Sequence, residues 1–129
     1  MISKLADEIY SKSIHFKKYD ERNLLSKKNR LLLEKEIFET KELIEALILQ
    51  LRDNPNYSKD YFELSLFMYK TLAECNVFLT TKTKNYRETV KRYIWGFHNL
   101  PRAFLSLENT MKISPNEAME YYKPYLKKD

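Results

Sequence analysis

The chain has 129 residues, a mass of 15.6 kDa and a formal net charge of +5, from 23 Lys plus Arg against 18 Asp plus Glu. That length suits one domain, at roughly 100–200 residues each, and 43% apolar residues is ordinary for a globule. Its one glycine, Gly96, excludes a Walker loop and a dinucleotide fingerprint, which need several close backbone approaches. It also argues against a hairpin-rich all-β fold, and the lone Cys75 excludes an internal disulfide or a Cys-rich zinc site.

The first predicted helix runs from about Ser3 to Tyr19, with Leu5, Ile9 and Phe16 on one side and Ile14 beside them. A turn or kink near Asp20–Asn23 leads to the longest segment, about Glu21 to Leu51. There Leu33, Ile37, Ile44, Leu47, Ile48 and Leu51 recur at helical spacing. The spacing does not say whether this segment is one helix or two. Asp53-Asn54-Pro55-Asn56 ends it, because the residue before a proline disfavours helix.

Ser58 is the predicted cap of a third helix, about Lys59 to Thr80. Tyr61, Leu64, Met68, Leu72, Cys75 and Leu79 form one stripe and Phe62, Leu66, Tyr69 and Ala73 a second. A helix apolar around so much of its circumference belongs at the centre. After a polar break at Thr81–Lys84, Asn85 and Glu88 have capping-box spacing. The fourth helix carries Tyr86, Val90, Tyr93, Ile94 and Phe97 on one face. Pro101 breaks it near Asn99, and Phe104, Leu105 and Leu107 continue the apolar run.

Ser114-Pro115-Asn116-Glu117 opens a short final helix, with serine at the N-cap, proline at the first turn and glutamate at the third position. Met119, Tyr122 and Leu126 lie on one side of it, and Pro124 bends or ends it. The expected fold is therefore all-α. It is a single domain, residues 1–129, forming an antiparallel bundle of four main helices plus a short C-terminal one, with a break near Asn99–Pro101.

No run of apolar residues reaches the roughly 20 of a membrane span. Asp7 and Glu8 precede any run long enough for a signal peptide. These features and the single cysteine lead to a cytoplasmic expectation.

Several polar groups are candidates for function. Glu36, Glu39, Glu42 and Glu45 recur every third residue and share one side of a helix. They read either as a solvated face or as a surface that pairs with a basic partner. Neither histidine sits three residues after a glutamate, so a di-iron carboxylate site is not expected, nor is any other metal or cofactor. Basic residues form two groups, Lys12, Lys17, Lys18, Arg22, Lys27, Lys28 and Arg30, then Lys82, Lys84, Arg87, Lys91 and Arg92. They read as solubilising charge or as a phosphate-tracking surface for nucleic acid. Cys75 reads as a packed apolar group, and no serine has nucleophile-elbow surroundings.

Two resemblances fall on the fourth helix. Arg92-Tyr93-Ile94-Trp95-Gly96-Phe97-His98 resembles the Arg-x(4–6)-His signature of HEPN ribonucleases. That resemblance implies a helical domain in which Arg92 and His98 assist metal-independent RNA cleavage. His98-Asn99-Leu100-Pro101 followed by Arg102-Ala103-Phe104-Leu105 is similar to small helical bacterial immunity proteins of the contact-dependent growth inhibition type. It implies an inhibitor that occludes a cognate toxin and performs no chemistry itself.

From the residues alone, Asn99 tolerates a non-helical backbone, Leu100 plugs the core and Pro101 starts the next helix. His98 and Asn99 would satisfy backbone groups freed at the break. The leading expectation is a non-enzymatic protein-binding module, in its sharpest form an immunity or antitoxin protein with a protein partner. The contact candidates are Glu36, Glu39 and Glu42 on one surface and Trp95, His98 and Arg102 on another. An RNA-processing or RNA-binding helical domain is the alternative.

Overall fold

The computed structural model describes residues 2–20, 26–82, 85–105 and 114–126, which contain no strand. Helix α1 spans Ile2–Phe16 and runs into a short 3-10 turn, Lys17–Asp20. Then come α2 (Lys27–Arg52), α3 (Lys59–Thr81), α4 (Tyr86–Asn99), α5 (Arg102–Leu105) and α6 (Pro115–Leu126). The fold is the expected all-α bundle. Helices α1 to α4 form a ring in chain order, in which each packs on its two neighbours and α4 closes onto α1. Short connections make those neighbours antiparallel. Helix α6 lies across α3 and α4, and α5 touches α1, α4 and α6.

The buried seams carry the predicted side chains. Ile9 and Phe16 of α1 are buried with Leu33, Ile37, Ile44, Leu47 and Leu51 of α2. Leu64, Met68, Leu72, Cys75 and Leu79 line α3, and Tyr86, Val90, Tyr93, Ile94 and Phe97 line α4. Aromatic contacts join the helices. The Phe16 and Phe97 rings lie 5.9 Å apart across α1 and α4, and Tyr61 and Phe104 lie 5.1 Å apart across α3 and α5. Ile14 departs from expectation, being 46% exposed, while Ser13 takes the inward position one residue earlier. The serine is tolerated because its hydroxyl donates to the Tyr10 carbonyl at 2.6 Å.

Buried Thr40, Ser65 and Thr71 follow the same rule. Each hydroxyl donates to the carbonyl four residues earlier, at 2.7, 3.0 and 2.8 Å. Cys75 is fully buried, and desolvation pushes its thiol up to about 12. Since the thiolate is the reactive form, the native protein is expected to resist a thiol-reactive dye at pH 8 and to react at once in denaturant. Rapid native labelling would contradict this packing.

Helix ends show where local signals succeed and fail. Ser114 accepts from the Glu117 backbone N–H at 3.1 Å, as its cap spacing predicts. The observed cap of α2 is Ser26, whose hydroxyl accepts from the Asn29 N–H at 3.5 Å, so the helix starts at Lys27 rather than near Glu21. From there it is one unbroken helix to Arg52. Asn54 Oδ1 accepts from the Asn56 N–H at 2.9 Å and tightens the predicted turn.

Ser58 and Asn85 hold the N-cap positions of α3 and α4, but neither side chain makes a cap hydrogen bond. Asn85 is instead in the left-handed region, φ 63°, as is Lys82 at the end of α3, φ 50°. Both helix ends take this conformation without glycine, and Asn is among the residues that best accept it. Pro124 does not end α6, which continues to Leu126. The expectations for residues 21–23, Arg22, Lys84 and Leu107, and for the side chains of Leu105, Tyr122, Pro124 and Leu126, lie outside the described residues.

Candidate functional site

The acidic series on α2 divides between two surroundings. Six residues at the 3-4 spacing of Leu33, Ile37, Thr40, Ile44, Leu47 and Leu51 define the inward direction. Glu36 and Glu39 sit on the shoulder beside α1, where a groove of about 730 Å³ separates the two helices. Lys12 Nζ lies 3.0 Å from Glu39 Oε1, and the Tyr19 hydroxyl donates to the Glu36 carboxylate. The hydrogen bond and charge of Lys12, helped by Lys35, hold the Glu39 carboxyl below its usual value. Both carboxylates therefore bind α1 and the turn after it to α2. Glu42 and Glu45 lie further round the helix and are exposed.

The second surface lies where α4 breaks. Asn99 remains helical, contrary to the expectation of a non-helical backbone there, and the break falls at Leu100 and Pro101. The Leu100 N–H donates to the Phe97 carbonyl at 3.0 Å, a tight final turn, and the Leu100 side chain is fully buried as expected. The carbonyl that Pro101 cannot serve is that of Phe97, and the Leu100 N–H takes it. The Asn99 side-chain amide donates one turn back, to the Trp95 carbonyl, at 3.1 Å. Its Oδ1 faces Arg102 Nη1 at 3.4 Å. One asparagine thus links Trp95 to Arg102 across the break. Trp95 is 45% exposed.

His98 has a different role from the one expected. Its Nδ1 is 3.5 Å from the Ser13 hydroxyl, and its ring stacks on Tyr10 at 5.7 Å, so it binds α4 to α1 rather than serving the broken backbone. Burial lowers its pKa, and the charges of Lys17 and Arg102 lower it further. The folded protein thus disfavours the imidazolium. Stability from this site is present above the ordinary histidine value of 6.5 and is lost as pH falls through the lower folded value. Melting temperatures at pH 7.5 and 5.5 are expected to differ more for the wild type than for His98→Gln. An equal pH dependence would remove His98 as the cause.

Arg92 and His98 are six positions apart, with five residues between them, which puts them about 120° apart around a helix. His98 faces α1. Arg92 is half-buried, and its charge acts on the Tyr93 hydroxyl. Tyr93 donates to Glu74 Oε1 at 2.9 Å, and burial followed by that bond raises its pKa.

Among the described residues no group of three or more His, Cys, Asp or Glu could hold a metal ion, and no helix is long and apolar enough to cross a membrane. Sequence reasoning did not identify Tyr10, Ser13 and Lys17 as neighbours of His98. They lie about 85 positions away in the chain, and no local pattern signals that pairing. Comparison with protein-family models, curated proteins and solved structures found no match for this chain.

Proposed function

We propose that this chain is a non-enzymatic protein-binding module that occludes a target through the surface of Trp95, His98 and Arg102. The observation that carries the reading is Trp95, 45% exposed and joined to Arg102 through Asn99. Tryptophan and arginine are enriched among the residues that dominate binding energy at interfaces. Lys17 and Arg102 make the field at His98 positive, so an acidic patch on the partner complements this surface. The sharper form, an immunity or antitoxin protein that neutralises a cognate toxin, rests on the resemblance at His98–Pro101.

The test is a tagged pull-down from nuclease-treated source lysate, with size-exclusion chromatography and mass identification of the bound species. One stoichiometric protein that withstands moderate salt and is lost with Arg102→Glu is the expected result. A partner retained equally by the wild type and Arg102→Glu removes this surface from the proposal. Loss of all binding on nuclease treatment replaces the reading with RNA binding. RNA cleavage abolished by both Arg92→Ala and His98→Ala would then establish the ribonuclease alternative.

A further inference from the structure

Helix α2 carries a second seam on the side opposite the core. Leu31, Lys35, Phe38, Glu42, Glu45 and Leu49 follow the same alternating four-three spacing as its buried seam, and all six are exposed. Leu31, Phe38 and Leu49 are 54%, 61% and 55% exposed. A sustained four-three repeat is the spacing with which one helix packs along another.

We infer that this seam binds the same seam of a second copy of the chain, with the two α2 helices antiparallel and the two-fold axis beside Thr40. The pattern is self-complementary about that point. In antiparallel pairing the alternating seam positions face each other. Leu31 then meets Leu49 of the second copy, and Lys35 meets Glu45 of the second copy, each contact occurring twice by symmetry. Lys35 also lies within one turn of the residue opposite Phe38, Glu42 of the second copy. The two Phe38 side chains are offset by about 6 Å along the axis at 1.5 Å per residue, within the roughly 4.5–7 Å separation of aromatic pairs. A parallel arrangement in register would oppose Lys35 to Lys35 and Glu45 to Glu45, so charge selects the antiparallel one.

The seam is about 27 Å long. One helix pair of that length belongs to the small interfaces, below about 1,200 Å² in total, so the dimer is expected to be weak and concentration-dependent. In the ring of helices α2 is diagonal to α4. The face is therefore remote from Trp95, and this inference does not rest on the proposed target-binding surface.

Sedimentation equilibrium over micromolar to millimolar protein tests the inference, with circular dichroism to check that each variant is folded. The wild type is expected to dimerise, and Phe38→Glu to remain monomeric. Lys35→Glu alone and Glu45→Lys alone oppose like charges and are expected to raise the dissociation constant at least about tenfold. Mixing those two variants restores opposite charges at both Lys35–Glu45 contacts while turning one of the two approaches to Glu42 repulsive, and is expected to recover most of the lost association. The double variant K35E/E45K also restores both contacts, but it sets glutamate near Glu42 at both approaches and is expected to recover less than the mixture. A wild type that stays monomeric at millimolar concentration overturns the inference. So does a dimer indifferent to all three single substitutions, or one that mixing fails to restore.

Discussion

Phe97→Ala is expected to cost about 3–5 kcal/mol of folding stability. A domain of this kind holds only about 5–15 kcal/mol in total, so a large part of the native margin would disappear. Phe97 is fully buried, and its ring packs on Phe16, which ties α4 to α1 and closes the ring of helices. Truncation removes transfer energy and leaves a cavity between two helices that are also linked at His98 and Ser13. Urea denaturation with unchanged m-value is the measurement, and Phe97→Leu should lose less because it refills part of the space. A loss below about 1 kcal/mol for Phe97→Ala would mean that α1 and α4 do not pack as described.

Trp95→Ala is expected to weaken the proposed partner complex by about 2 kcal/mol or more, roughly thirtyfold in Kd. Folding should change little, because about half of the residue is already exposed. Titration calorimetry against the captured partner, alongside thermal melts of the free protein, separates the two effects. An unchanged Kd would exclude Trp95 from the interface. The acidic candidates need a different design. Replacing Glu39 by lysine would oppose Lys12 across the α1–α2 groove, so any loss of binding would be mixed with disturbance of α1. Glu42→Lys is the cleaner probe of partner binding, because Glu42 is exposed. Its effect should be read at concentrations where the chain is monomeric, since Glu42 also lies in the outer seam of α2.

Helix spans and inward faces were legible in the residues because both depend on local physics. Hydrophobic spacing near 3.6 marked Leu64 to Leu79 as one buried stripe, and Ser114-Pro115-Asn116-Glu117 marked a helix start to the residue. The scarcity of glycine excluded whole fold classes before any element was placed. Local signals misled where two positions compete. Ser13 rather than Ile14 turned inward, and α2, expected from about Glu21, begins at Lys27 behind a Ser26 cap that was not foreseen.

The candidate sites were legible only as residue types. That Glu36 and Glu39 serve Tyr19 and Lys12, while Glu42 stays exposed, depends on which side of α2 receives α1. The role of His98 depends likewise on α1 lying against α4, which brings Tyr10, Ser13 and Lys17 around its ring. Periodicity states that a face is buried but not against which partner, because hydrophobic burial has no direction. The assignment of partners came from the closed ring of four helices. That ring brings residues some 85 positions apart into hydrogen-bonding distance and sets the charges that act on each titrating group.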